Sequence, residues 1–517
     1  MLRPACKTAA ASAACGAIFI AIVGAAFPLR DALQLGPDEH YELLKALMCS
    51  QGFSAYHDFW NDQPPLYTLL LKILFEQVGP TLFGARLLAV GFGTLLFVSF
   101  FNLVSLRSGS KAAIVASILL LMFPSFLELC SSVMLEVPAL GTGLLGALAL
   151  FLRRRGQALA WSFASGVIFG CALQIKLTAA IFIPALAAEI ALAPPGLSGV
   201  RPRSSVAGLW LAGAGSSFLA VALLHGGEGF QNLWQSHFQP HPVSEAVRLM
   251  DQQFLFGVLD DHFGAWVGAW LGIVFIMWRR QWRPLAFPLV LFGTAVLVRL
   301  FHQPYWYFYS LQLALPAAWM AGHFLAELFR SLPRAAGWNV LAWRDSDFAR
   351  AAVCLGLAAA LLGYGAPRFQ RELKSAAQAP RLRESPLLAT MIEHGRWTRW
   401  GYSEDPIYCF HARTPVPPEL LVLPLKRRWS GQITDAQIVA CIERYRPEQV
   451  LLMPGTEAKP AWAALLQRDY VLSWQDKAHG LFLSKASLHQ VRDAALRPNA
   501  MPPRYPVAAR IGVPVDK

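Results

Sequence analysis

Charge is scarce in this chain. Only 15% of its 517 residues are Asp, Glu, Lys or Arg, against 55% hydrophobic, and the mean hydropathy is +0.41. A soluble globular chain carries about 25% charged residues, so this composition excludes an ordinary water-soluble domain and sends the apolar surplus to lipid. The eight cysteines have no C-x-x-C spacing and several lie within apolar runs, which argues against a zinc site and against a disulfide framework. Cys409 and Cys441 are left as a pair that an oxidising compartment would permit. The hydropathy pattern has no obvious inverted repeat, and its polar candidates do not gather at a bilayer midplane, so a secondary transporter is the weaker of the membrane readings. A net charge of +13 is no nucleic-acid footprint here, because the Lys and Arg fall in short clusters between apolar runs.

What is present is length and rhythm. Arg3 and Lys7 precede an apolar run, Thr8 to Leu29, long enough for an uncleaved first span of roughly 20 residues. Further runs lie near 86–106, 111–127, 133–152, 158–175, 177–193, 206–224, 263–278, 284–300, 305–329 and 350–366, which predicts about eleven spanning helices. Alternate loops carry the basic residues: Arg107 and Lys111, Arg153 to Arg155, Arg201 and Arg203, Arg279 to Arg283, then Arg330 to Arg350. The positive-inside rule places that set and the N-terminus in the cytoplasm. The opposite loops, and after an odd number of spans the C-terminal region, then face the extracytoplasmic side of a cell (inner) membrane.

The first outer loop, 30–84, concentrates the chemistry. Gly36-Pro37 breaks the first span, and Asp38-Glu39-His40-Tyr41-Glu42 opens a segment with the spacing of an amphipathic surface helix. Read blandly, Asp38 is an N-cap and Glu39 a first-turn acid. Tyr56 to Tyr67 then alternates polar and aromatic groups up to Pro64-Pro65, and Leu66 to Val78 is too short to span, which predicts a second interfacial or re-entrant helix with Asp62-Gln63 facing a cavity. Trp60 and Tyr67 also suit an interfacial aromatic belt.

These motifs, in order, resemble the GT-C superfamily of membrane glycosyltransferases, in the branch of protein O-mannosyltransferases and aminoarabinose transferases. The series is Asp38-Glu39-His40-Tyr41, Asp62-Gln63-Pro64-Pro65-Leu66-Tyr67, Phe83-Gly84-Ala85-Arg86-Leu87, Pro124 with Glu136-Val137-Pro138-Ala139, Lys176-Leu177-Thr178, and the outer turn His302 to Tyr309. The resemblance covers roughly 10–330. It implies an α-helical polytopic GT-C-like fold with interfacial helices in the first outer loop, and transfer of a sugar from a polyprenyl-phosphate donor to an extracytoplasmic lipid, glycan or protein acceptor, with inversion.

Asp38 is then the general base, aided by Glu39. Tyr41, Asp62, Gln63, Tyr67, Glu136, Lys176, Arg299, His302 and Tyr305 are substrate-binding candidates, with Lys176 on the lipid phosphate and Arg299 and His302 on donor phosphate or sugar. A divalent metal held by Asp62 with His237 and His241 is a further possibility, although Pro240 and Pro242 oppose a regular helix there. Two departures from the family are visible: Gln63 stands where a Lys commonly precedes the Pro-Pro pair, and Glu136 where Asp is frequent. Gln63 keeps a non-catalytic lipid-binding or assembly protein in view as an alternative. Nucleic acid is not an expected partner.

After 366 charge and Pro rise, predicting a small extracytoplasmic α/β domain over 367–486 and a poorly ordered tail over 487–517, behind a transmembrane domain over 1–366. Pro418 to Pro424, Gln449 to Met453, Tyr470 to Trp474 and Gly480 to Leu483 read as strands, and Thr434 to Arg444 and Lys459 to Gln467 as helices. That region has neither a Gly-rich phosphate loop nor a nucleophile elbow.

Overall fold

A computed structural model describes residues 2–152, 157–192, 203–224, 231, 263–301, 306–330, 345–429 and 431–488. The first helices are α1 (Leu2–Ala26), α2 (Glu39–Ser50), α3 (Leu66–Val78), α4 (Leu82–Ser108), α5 (Ser110–Leu121), α6 (Phe126–Ser131), α7 (Glu136–Phe151), α8 (Ala158–Ile175), α9 (Phe182–Ala191) and α10 (Arg203–Leu223). They are followed by α11 (Phe263–Arg279), α12 (Ala286–Phe301), α13 (Leu311–Arg330), α14 (Asp345–Ala377) and α15 (Pro386–His394). Beyond these come β1 (Gly401–Ser403), α16 (Ile407–His411), α17 (Leu425–Trp429), α18 (Asp435–Tyr445), β2 (Gln449–Leu452), α19 (Pro460–Asp469), β3 (Tyr470–Gln475) and β4 (Gly480–Ser484). The described residues form two compact units. One draws on Met1–Pro28, Arg86–Val221 and Glu245–Gln378, the other on Leu29–Ala85, Ala222–Ser244 and Ala379–Lys517.

Among the described residues the regular elements of the first unit are helices, and a helix meets each of the apolar runs. Among the described residues, four segments are long and apolar enough to cross a membrane: Leu82–Ser108, Ala158–Ile175, Arg203–Leu223 and Arg283–Leu300. Several runs are not single helices. The run 111–127 ends as α5 at Leu121 and restarts as α6, because Pro124 lacks an N–H and Ser125 takes a left-handed φ of 61°. The run 177–193 begins as a 3₁₀ turn, Leu177–Ile181, before α9.

Lipid supplies no hydrophobic drive between helices, so close packing rests on small residues and buried hydrogen bonds. Trp210 of α10 donates its indole N–H to Ser165 Oγ (3.2 Å), and that hydroxyl donates to the carbonyl of Gly146 in α7 (2.7 Å). The α8–α10 approach is so close that a Cβ on Gly166 would overlap the Trp210 carbonyl, and one on Gly213 the Phe163 carbonyl. Gly208 on the same α10 has open space around it. Gly213→Ala is therefore expected to destabilise by about 1–3 kcal/mol through overpacking, while Gly208→Ala gains helix propensity and stabilises slightly. Thermal melts of the two variants in one detergent check this; equal melts would show the crossing to be loose.

The second unit joins the Leu29–Ala85 segment to the sheet. Leu33 N–H donates to Pro380 O and Leu382 N–H to Asp31 O, both at 2.7 Å, and Phe75 packs on Phe410 with ring centroids 5.9 Å apart. The sheet order is β1-β2-β4-β3, with β1 parallel to β2 and the other pairs antiparallel. Tyr402, Val450, Leu451, Leu481 and Leu483 are buried on it, and Trp462 of α19 stacks on Tyr402. A capping box at Thr434 and Gln437 starts α18, and Arg446 ends it in the left-handed region.

The expected strand over Pro418 to Pro424 is a correction. Pro418–Leu420 is a 3₁₀ turn, because consecutive prolines cannot donate to a ladder, and the edge strand is instead the short Gly401–Ser403. The α2 segment also differs from a surface amphipathic helix. Glu42 through Cys49 are buried, charged residues included, because α3 and α16 pack against it. Cys409 and Cys441 are both free thiols.

Candidate active site

The second unit holds Asp38, Glu39, Tyr41, Asp62, Gln63 and Tyr67. Gln34 Nε2 donates to the carbonyls of Gly36 (2.7 Å) and Pro37 (2.9 Å), and Leu35 N–H donates to Glu39 Oε2 (2.9 Å). The turn before α2 is thus fastened by its neighbours. Asp38, half-buried at the N-cap position, makes no side-chain cap hydrogen bond, so capping does not account for it. Glu39 is fully buried.

Beneath this turn lies a buried polar network. Lys45 Nζ donates to Glu42 Oε1 (2.6 Å) and Asn61 Oδ1 (3.3 Å), and Thr68 donates to Glu42 Oε2 (3.2 Å). Asn61 Nδ2 and the Tyr56 hydroxyl both donate to the Gln63 carbonyl. Tyr56 holds a left-handed φ of 72°, backbone strain that the closed 56–63 loop retains. The half-buried Asp62 is therefore carried by a loop locked on both sides. The α2 pair Glu42 and Lys45 had a legible signal in its i,i+3 spacing.

His40 contacts Gln34 Nε2 through Nδ1 (3.2 Å). Burial pushes its imidazole down to about 4, against the opposing pull of the Asp405 and Glu39 carboxylates. An unfolded imidazole takes its proton near pH 6.5, so between that pH and about 4 the unfolded chain binds more protons, and stability falls as pH is lowered through that window. His40→Gln is expected to flatten the acid loss of melting temperature there; an unchanged pH profile would assign the sensitivity elsewhere. Burial also raises the Tyr41 phenol well above its ordinary value, with Asp38, Asp62 and Asp405 adding to the rise and Arg428 opposing it. Arg427 and Arg428, on the sheet-bearing part of the unit, were invisible as site candidates in the sequence.

The helical unit holds the second group. Lys176 follows α8 in extended conformation (φ −154°, ψ 130°), which ends the helix and turns the side chain inward. Its ammonium pairs with Glu136, the first residue of α7, and lies 4.7 Å from the Phe308 and 5.3 Å from the Tyr309 ring centroids. Both charged residues are buried, at 7% and 2% exposure. Arg299 donates to Gln312 Oε1 (2.6 Å) and the Tyr309 carbonyl (3.2 Å), with its guanidinium 4.2 Å from the same Tyr309 ring. One tyrosine ring thus faces two cations. Tyr307 donates to Glu128 (2.9 Å), whose N–H is bound by Glu372. His302, Tyr305, His237 and His241 lie outside the described residues. Among the described residues no group of three or more His, Cys, Asp or Glu is arranged to hold a metal.

A mostly helical chain with several apolar helices and a small sheet near its C-terminus has a fold like that of solved GT-C glycosyltransferases. The particular likenesses agree. Residues 62–223 match the family model described as dolichyl-phosphate-mannose-protein mannosyltransferase. The ArnT structure from Cupriavidus metallidurans bound to undecaprenyl phosphate is similar at a TM-score of 0.60 and 16% identity, over 91% of this chain and 98% of that one. The apo oligosaccharyltransferase of Archaeoglobus fulgidus is similar at 0.53 and 13%, over 92% and 74%. Its complex with an inhibitory peptide and a dolichol-phosphate is similar at 0.51 and 13%. No curated protein sequence matches the chain.

Proposed function

We propose that the chain is an integral membrane glycosyltransferase that moves a sugar from a polyprenyl-phosphate donor to an extracytoplasmic acceptor. The observation that carries this reading is Asp38, a half-buried carboxylate at the start of a buried helix, in a fold of the GT-C type. ArnT with undecaprenyl phosphate and the archaeal enzyme with dolichol-phosphate support a lipid-linked donor, and the positive-inside pattern supports an outward-facing acidic loop.

In the proposed reaction an acceptor O–H or N–H attacks the anomeric carbon as its proton passes to Asp38. The anomeric C–O bond to phosphate breaks, the lipid phosphate leaves with the electron pair, and the anomeric configuration inverts. Lys176 and Arg299 are assigned to the phosphate. Their contacts with the Phe308 and Tyr309 rings position the two cations in advance, and the incoming phosphate takes Lys176 over from Glu136. Glu39 and the Lys45–Glu42–Asn61 network position the loops that carry Asp38 and Asp62.

The test is purified full-length protein given a radiolabelled polyprenyl-phosphate sugar and candidate acceptors, beside proteoliposomes loaded with the same donor. Covalent transfer is the expected result. Movement of label across the bilayer without covalent transfer would replace this reading with a transporter, and donor binding without either would leave an assembly protein.

A further inference from the structure

The proposed reaction uses no residue of the sheet-bearing segment, yet that segment places two guanidiniums beside the acidic loop. The short helix α17 carries Arg427 and Arg428. Arg427 Nη1 donates to the carbonyls of Glu419 (3.0 Å) and Val422 (2.9 Å), which aims the head group, and its Cζ lies 4.9 Å from the Trp60 ring centroid. The charge of Asp62 acts on it, against a burial that weakens its charged form. Arg428 is tethered loosely, through Nη1 to Glu404 (3.5 Å) and Nη2 to the Tyr402 hydroxyl (3.4 Å). Its Nε is buried without a hydrogen-bond partner, while its charge reaches Tyr41. Glu404 is only partly committed to it, since its other oxygen accepts from Met453 N–H (2.9 Å). Both arginines are half-buried, so neither is an ordinary solvated surface charge.

We propose that Arg427 and Arg428 form an oxyanion site for the acceptor, which makes the acceptor a saccharide carrying a phosphate or carboxylate. This rests on the reading of Asp38 as the base. The charges of Asp38, Asp62 and Arg428 all reach Tyr41, and Arg427 borders Trp60 and Asp62, so an acceptor that reaches Asp38 extends toward the two arginines. An acidic acceptor entering beside Asp38 and Asp62 meets like charge, which costs binding unless cations offset it. Guanidinium forks suit phosphate and carboxylate oxygens, and the aromatic faces of Trp60 and Tyr41 suit a sugar ring. The leaving phosphate already has Lys176 and Arg299, so the second cation pair is assigned to the other substrate.

Binding can be read without turnover. Full-length protein in detergent is titrated with glucose 1-phosphate, glucuronate and glucose, following tryptophan fluorescence relative to Trp60→Phe. Saturable change with the two anions and none with glucose is expected. Arg428→Gln, whose loose tethers make it the variant least harmful to folding, and Arg427→Gln should each weaken anion binding about tenfold or more, with Lys at either position restoring part of it. Binding should persist with saturating polyprenyl phosphate.

Three results would overturn the proposal: equal binding of glucose, unchanged affinity in Arg428→Gln, or displacement of the sugar phosphate by polyprenyl phosphate, which would give the site to the donor. Because the readout needs no sugar transfer, its failure is distinguishable from failure of the glycosyltransferase reading.

Discussion

Asp38→Asn is expected to lower sugar transfer by about 10²–10⁴-fold, the usual contribution of a positioned general base, while donor binding and the melting temperature stay near wild type. The amide keeps the size and shape of the side chain but loses its negative charge, and with it the capacity to take the acceptor's proton. Folding should tolerate the change because the turn is fastened by Gln34 and Glu39. Asp38→Glu retains the base on a longer arm and should fall between the two. The decisive measurement is single-turnover transfer from a radiolabelled donor beside donor binding on the same preparation. Transfer within a few-fold of wild type would falsify the base assignment, and equal losses of transfer and donor binding would move Asp38 into binding.

The membrane character and the positions of α2, α3 and α8 were legible because each rests on a local signal: apolar length, or the Gly36-Pro37 and Pro64-Pro65 breaks. The break inside 111–127 was harder to read, since hydropathy runs smoothly past Pro124 and only the backbone at Ser125 reveals the turn. The edge strand Gly401–Ser403 escaped for a different reason. Three residues give no usable periodicity, and the pairing with Gln449–Leu451 is a long-range fact.

The candidate site divides in the same way. Asp38, Asp62 and Lys176 stand out as charges in apolar or aromatic settings. Arg427 and Arg428 sit in a basic run that reads as solvated surface, and only the folded chain brings that run to Trp60 and Tyr41. The sequence leaves open whether Glu136 binds substrate or braces Lys176, and the fold, which brings two helices together, pairs them.

That pair carries the second large effect. Lys176→Met leaves the Glu136 carboxylate buried without its cation, and Glu136→Leu strands the ammonium against the Phe308 and Tyr309 rings. Each single change is expected to cost about 3–5 kcal/mol, the usual penalty for breaking a buried ion pair, visible as a marked fall in melting temperature in a fixed detergent. The double change removes both charges from a buried position, and an apolar replacement of similar volume is often neutral or better. The Lys176→Met, Glu136→Leu protein should therefore melt near wild type.

The double variant separates two roles that the single variants confound. If Lys176 meets the donor phosphate, the double variant folds well and still binds polyprenyl phosphate far more weakly. If the pair serves packing alone, restoring stability restores binding too, and the phosphate assignment falls. Glu136→Gln adds a third arm: it keeps a hydrogen-bond acceptor beside Lys176 but frees the ammonium from a competing carboxylate. Where the lysine binds phosphate, that variant should hold the donor more tightly than wild type, because an incoming phosphate no longer has to displace Glu136 from Lys176.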